Sequence, residues 1–156
     1  MQNQHTDVLL VGGGIMSATL GMLLQQLDAS LNIVMVEQLS DVALESSAAL
    51  NNAGTGHAGN CELNYTPLTH TPQAPDGSID ITRALEVNAA FEVSLQYWAY
   101  LVDVGTLPSP EHFINKTPHL SLVWGAKNAS FLKQRFKQMQ QHHLFSDMQF
   151  SDDFAQ

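Results

Sequence analysis

The 156-residue chain is long enough for one hydrophobic core and too short for two ordinary domains. Its formal charge of -9 at pH 7 excludes a typical nucleic-acid-binding surface, and its single cysteine excludes an intramolecular disulfide and fits a reducing compartment. No basic signal region begins the chain, and no apolar run approaches the ~18 residues that span a membrane. These properties predict a cytoplasmic protein.

Residues 7–37 predict a strand, a helix and a second strand. The run from Asp7 to Val11 is apolar and ends at glycines, as buried parallel strands do. Leucines spaced three and four residues apart then mark one helix face, and Ile33 to Val36 form the next strand. The order predicts a parallel βαβ unit and an α/β fold that is incomplete within this chain.

The loop between the first strand and the helix resembles a dinucleotide-binding loop. Gly12 and Gly14 hold the first two positions of G-x-G-x-x-G, and Ser17 replaces the third glycine, which serves only helix–strand packing. Glu37 ends the second strand, where a carboxylate accepts ribose hydroxyls and repels a 2′-phosphate, so NADP is disfavoured. The alternative is a structural glycine turn without a ligand.

The polar segment that follows divides into two parts. Residues 46–66 are rich in small and amide side chains, which favours FAD over NAD because a flavin extends beyond the pyrophosphate and needs more donors. Residues 67–78 are rich in proline and are expected to form an exposed insertion.

Residues 80–156 predict helices and short strands. A helix is expected from an N-cap at Asp80 to a stop at Gly105. Its inward face is predicted to hold Phe91, Leu95, Trp98 and Val102.

The last part of the chain is expected to contain one more helix, capped by Asn128, with Arg135 on its solvated face. Short strands are expected within 113–124 and 148–150.

The candidate cofactor-binding residues lie in the glycine loop, after the second strand, and in the polar segment. Ser46 and Ser47 would donate to a pyrophosphate or cap a helix over 47–51, and the loop after them would line the flavin or form a plain turn cluster. The candidates are Gly12, Gly13, Gly14, Ile15, Met16, Ser17, Glu37, Gln38, Ser46, Ser47, Asn51, Asn52, Ala53, Gly54, Thr55 and Gly56. The scattered histidines lack metal-ligand spacing, so no metal site is expected.

Four motifs, GGGIMSATLG, ALNNAGTGH, ELNYTP and PHLSLVWG, together resemble the malate:quinone oxidoreductases, from about Asp7 to the last residue. The resemblance implies a glutathione-reductase-type, Rossmann-like FAD-binding fold. It implies FAD-dependent oxidation of malate to oxaloacetate, electron transfer to quinone, and peripheral contact of the full-length enzyme with the inner face of the cell membrane. Ser17 belongs to that family's usual loop, and residues 68–75 look like an insertion. Family members are several times longer, so the chain resembles an N-terminal portion without the substrate domain.

His57 stands in an H-A-G context that recurs near the flavin in related 2-hydroxyacid oxidases. It is a candidate catalytic base, or else a hydrogen-bonding loop residue. Arg83 and Arg135 are the only arginines, and neither is expected to reach the glycine loop, so a clamp for the two malate carboxylates is expected beyond Gln156. The chain alone is expected to be inactive. The alternatives are a flavoenzyme for another 2-hydroxy or amino acid, and a non-catalytic nucleotide-binding remnant.

Overall fold

The chain divides into two compact units, Met1–Thr55 and Gly56–Gln156, and each has its own two-stranded sheet. A computed structural model describes residues 5–52, 54, 56 and 62–153. The helices and strands in that part are β1 (Val8–Val11), α1 (Ile15–Leu27), β2 (Ile33–Val36), β3 (Leu68–Thr71), β4 (Ala74–Ile79), α2 (Thr82–Asp103) and α3 (Ala126–Gln140).

The first unit contains the parallel βαβ arrangement that the sequence predicts. Strands β1 and β2 pair in parallel, with Val8 opposite Ile33 and Val11 opposite Val36, and α1 is the connection between them. The helix packs closely on the sheet at Gly21, where an added Cβ would lie 3.2 Å from Leu10 Cδ1. A mixed α/β architecture is therefore confirmed.

The apolar runs of this unit are only partly covered. Leu10 is buried, whereas Leu9 is 58% exposed and Val11 is 78% exposed. Parallel strands with continuous apolar sequences are normally covered on both faces. Strands β1 and β2 therefore carry more apolar surface than the described residues cover.

The second unit contains a hairpin in the region where the sequence predicts an exposed insertion, residues 67–78. Strands β3 and β4 are antiparallel, and a two-residue turn joins Thr71 to Ala74. The Thr71 hydroxyl accepts the Ala74 N–H at 3.1 Å, and Ile79 at the other end of the hairpin is buried. The hairpin is compatible with the proline-rich composition, because proline is tolerated in a turn or at the edge of a two-stranded sheet.

Helix α2 begins and ends close to the predicted limits, although its N-cap is Ile81 and not Asp80. The Asp80 carboxylate accepts the Thr82 N–H at 2.9 Å, and Gly105 adopts a φ of 74° after the last turn. The predicted inward face is wrong in part, because Leu95 is 38% exposed. The side chains that α2 buries are Ala84, Asn88 and Leu101.

The last part of the chain departs from the sequence prediction in two ways. Residues 113–124 and 148–150 contain no strand, because their described main-chain hydrogen bonds are only local ones, such as Ile114 to Pro110 and Met148 to Phe145, and no ladder joins them to a distant segment. Helix α3 begins before Asn128, whose side-chain amide donates to the Trp124 carbonyl at 2.9 Å instead of capping the helix. The core of this unit gathers around Ala84, Met139 and Phe145.

Candidate functional site

The glycine loop joins the carboxyl end of β1 to the N-terminus of α1. Gly12 has a φ of 96°, a conformation that favours glycine, and its N–H donates to the Val36 carbonyl at 2.8 Å. Gly14 is the N-cap of α1. The loop thus passes over the end of β2 before the helix starts, at the edge where α/β proteins bind ligands.

Glu37 joins the end of β2 to this loop. Its Oε2 accepts the Gly13 N–H at 2.6 Å, and its Oε1 accepts the N–H groups of Gln38 at 2.7 Å and Leu39 at 2.9 Å. The hydrogen bonds from Leu39 and then Gly13 lower the pKa of Glu37 below its ordinary value. The carboxylate is therefore ionised at neutral pH, and its remaining lone pairs can accept further donors.

Gly13 is buried where a side chain would not fit. A Cβ on Gly13 would lie 2.9 Å from Val42 Cγ1 and 3.1 Å from Glu37 Oε2. The Gly13 carbonyl also accepts the Ala43 N–H at 3.0 Å. The sequence does not point to Val42 and Ala43 as neighbours of the loop. The feature that marks this turn is the positive φ of Ala43, 58°, which only the structure reveals.

Ser47 reaches the N-terminus of α1 from the segment after β2. Its hydroxyl oxygen accepts the Ile15 N–H at 3.0 Å. A Cβ on Gly14 would lie 3.1 Å from the same oxygen, so the glycine leaves room for the contact. The neighbouring Ser46 is exposed, and its main-chain carbonyl accepts the Asn52 side-chain amide at 3.1 Å.

Two main-chain donors remain open at the helix N-terminus. The first bond of α1 runs from the Ala18 N–H to the Gly14 carbonyl at 3.1 Å, so the N–H groups of Met16 and Ser17 have no acceptor among the described residues. No acidic side chain lies in the first turn of α1, and Met16 is 81% exposed. An anion that approaches this end meets free donors and the positive end of the helix dipole.

The amide-rich segment folds back on itself. The Asn51 side chain donates to the Glu45 carbonyl at 2.9 Å, and Asn52 Oδ1 accepts the Gly54 N–H at 2.8 Å. Turns, and no regular helix, occupy residues 47–51. In the second unit, Gly56 lies against Phe91, because a Cβ on Gly56 would be 2.5 Å from the Phe91 ring. The candidates Ala53, Thr55 and His57 lie outside the described residues.

The two arginines occupy different environments. Arg83 Nη1 donates to Glu86 Oε2 at 2.9 Å on an exposed helix surface. Arg135 is only 2% exposed, and its Nε donates to the Thr66 hydroxyl at 2.7 Å, which corrects the prediction of a solvated position. The prediction failed because the lysines flanking Arg135 suggested a polar helix face. Burial lowers the pKa of Arg135 from its ordinary value.

Among the residues that the structure describes, no three His, Cys, Asp or Glu side chains lie close enough together to hold a metal ion. His142 and His143 stack on each other with ring centroids 4.6 Å apart. The strongest convergence of chemistry is therefore at the glycine loop, Glu37 and Ser47.

Comparison with known proteins gives a consistent result over almost the whole chain. A family model described as malate:quinone oxidoreductase matches residues 4–156. Proteins named probable malate:quinone oxidoreductase are 62% identical in Hahella chejuensis over 153 residues, 60% in Tolumonas auensis over 154 and 61% in Methylobacillus flagellatus over 150. These matches cover 96–98% of this chain and about 30% of each relative. The resemblance drawn from the four sequence motifs is confirmed.

Proposed function

Because the chain belongs to the malate:quinone oxidoreductase family, we propose that the full-length protein uses FAD to oxidise (S)-malate to oxaloacetate and passes the electrons to membrane quinone. This chain spans about 30% of the length of the relatives that it matches. The activity is accordingly proposed for the whole protein, and the described residues supply part of the FAD site within a glutathione-reductase-type fold.

The observation that carries this proposal is the contact between Glu37 and Gly13 beside an open helix N-terminus. The Glu37 carboxylate would accept the ribose hydroxyls of the adenosine, and the Met16 and Ser17 N–H groups would donate to the pyrophosphate. A Cβ on Gly12 would have no heavy atom within 4 Å, so the main chain of the turn is open to that approach on this side. These residues fit a dinucleotide, and the Glu37 charge would repel a 2′-phosphate.

Ser47 gives the same end of the helix a further donor. Its oxygen accepts the Ile15 N–H, so its own O–H is left to point elsewhere. A pyrophosphate at the N-terminus of α1 would accept a hydrogen bond from that O–H. Ser47 would therefore hold the helix and the ligand at once, while Ser46 and Gln38 would line the approach.

The polar segment would meet the flavin end of the cofactor. We expect main-chain and amide groups of residues 51–56 to face the ring, and His57 to act as the base at the C2 hydroxyl of malate. His57 would take the proton of the C2 hydroxyl, and the hydride from C2 would go to FAD as the two-electron acceptor. His57→Gln in the full-length enzyme should lower kcat by roughly 10²–10⁴-fold with flavin retained. Unchanged kcat would reject the base.

The malate carboxylates require cations, and both arginines of this chain already have partners within the second unit. Arg83 is paired with Glu86 at the surface, and Arg135 is held in the core of the second unit by Thr66. A carboxylate clamp is typically an arginine fork. We therefore expect the clamp in the remainder of the full-length protein, and no malate turnover by the 156-residue chain alone.

Quinone is dissolved in the bilayer, so the full-length enzyme would have to touch it. Among the described helices, none combines the length and the apolar character needed to cross a membrane. We expect peripheral contact from the cytoplasmic side.

The test uses the purified full-length protein. We expect a flavin absorbance spectrum, release of FAD on denaturation, and malate-dependent reduction of a soluble quinone analogue. Lactate and amino acids serve as competing substrates. If FAD is bound but another 2-hydroxy acid is oxidised faster than malate, that acid is the substrate. If no flavin is bound, the cofactor assignment is rejected and a non-catalytic protein is favoured.

A further inference from the structure

The stretch 118–124, PHLSLVW, presents an alternating surface just before α3. Leu120 is 80% exposed, Leu122 is 76% exposed and Trp124 is 80% exposed, whereas Ser121 and Val123 between them are half-buried. This period of two is that of a β-strand with one apolar face, and not that of a helix. Three large apolar side chains therefore share one uncovered side.

The main chain of the stretch is also unpaired. Within the described residues, no main-chain hydrogen bond joins 118–123 to another main-chain group, and the Trp124 carbonyl accepts only the Asn128 side chain. Gly125 follows with a φ of 85° and starts α3, so the end of the stretch is fixed by a helix. Main-chain donors and acceptors covered by apolar neighbours need partners.

We propose that residues 118–124 form a β-strand that pairs with a strand from the remainder of the full-length polypeptide, which covers Leu120, Leu122 and Trp124. The relatives are more than three times as long as the part that this chain matches, so a partner strand within the same polypeptide has ample sequence to come from. Pairing with another strand gives the main-chain N–H and C=O groups hydrogen-bond partners and brings neighbouring side chains over the apolar ones. A short segment with unpaired main-chain groups and an uncovered apolar side can be added to the edge of a sheet by β-augmentation.

Two other occupants fit the geometry less well. A bilayer would cover the three apolar side chains but leave the main-chain groups without partners. A second copy, paired through this stretch alone, would bury only one short strand from each chain, much less than the ~1,200 Å² that a stable interface requires.

Hydrogen–deuterium exchange on the full-length enzyme tests the proposal without any substitution. We expect amides within 119–124 to exchange at least ~100-fold more slowly than an unstructured peptide, in the absence of lipid. Exchange at the unstructured rate would overturn the proposal. Protection that develops only with phosphatidylethanolamine–phosphatidylglycerol vesicles would overturn it in favour of a membrane-contacting segment.

A photo-cross-linking amino acid at position 122 of the full-length enzyme identifies the occupant. An adduct within one polypeptide, to a residue outside this 156-residue part, is the expected result. An adduct between two copies or with lipid would overturn the proposal. The same amino acid at position 127, an exposed residue of α3, is the matched control and should give no such adduct.

Discussion

The N–H of Gly13 donates to the carboxylate of Glu37 at 2.6 Å, across 24 residues of sequence. This bond fastens the turn after β1 to the end of β2. Glu37 thus has two tasks in the proposed FAD site, because the group that would accept ribose hydroxyls also holds the loop that the pyrophosphate would approach. Each prediction below follows from a contact of this kind and is made for the full-length enzyme.

Replacing Glu37 should weaken FAD binding. Glu37→Gln keeps one acceptor oxygen but loses the charge and one oxygen, and Glu37→Ala loses both tasks, so we expect roughly 10-fold and 100-fold higher Kd values. Glu92→Gln removes the same charge from an exposed position on α2 and should leave Kd unchanged. Flavin titration of the apoenzyme measures the difference, and equal Kd values for all variants would remove Glu37 from the site.

Acid should loosen the loop in a defined pH window. The pKa of Glu37 is lowered in the folded chain, so its contribution to stability is fully present above its ordinary value of 4.5 and is lost as pH falls through the lower folded value. The melting temperature of wild type should therefore approach that of Glu37→Gln as pH drops below about 4.5. A difference between the two that stays constant through this window would contradict the prediction.

A methyl group on Gly13 should clash with Val42, whereas one on Gly12 should strain only the main chain. Gly13→Ala brings its Cβ to 2.9 Å from Val42 Cγ1, and we expect a cost of about 1–3 kcal/mol in unfolding free energy with weakened flavin retention. Gly13→Ala combined with Val42→Ala should recover part of the loss. Gly12→Ala has no neighbour within 4 Å, so its cost comes from the φ of 96° alone, about 1–3 kcal/mol, and Val42→Ala should recover none of it. The absence of any recovery in the double variant would show that Val42 is not the obstacle.

Ser47 and Ser46 form a matched pair of neighbours. Ser47→Ala removes the acceptor of the Ile15 N–H and should cost about 1 kcal/mol, as loss of a helix cap does. Ser46→Ala should be close to neutral for stability, because only its main-chain carbonyl has a described partner. Chemical denaturation distinguishes the two, and equal losses would mean that the hydroxyl of Ser47 does not cap α1.

The buried contact between Arg135 and Thr66 should be costly to break. Thr66→Val removes the acceptor of Arg135 Nε, and Arg135→Lys removes the planar donor, so each should lower the unfolding free energy by about 1–3 kcal/mol. Lys133→Ala breaks an exposed pair with Asp152 and an exposed cation–π contact with the Phe150 ring, and should cost about 1 kcal/mol or less. A Thr66→Val variant as stable as wild type would show that the contact contributes nothing.

The parts predictable from the sequence are those encoded by neighbours in the chain. The glycine spacing, the acid at the end of β2 and the limits of α2 each depend on a few adjacent residues, and the structure contains all of them. Arg135 was misjudged because its partner, Thr66, lies 69 residues away and helix periodicity does not reveal it. The strand pattern of 118–124 was recognised, but a strand exists only when a partner lies beside it.

Strands β1 and β2, with the sequences VLLV and IVMV, form a sheet whose outer edges have no partner strand in the described part of the chain. Uncharged, β-branched edges of this kind promote pairing between molecules and are the usual seeds of amyloid-like stacking. The rate at which the rest of the same polypeptide covers these edges does not depend on protein concentration. The rate at which two incompletely folded molecules associate through them rises with concentration. The yield of native enzyme should therefore depend on expression rate and on chaperone supply, even where the finished protein is very stable.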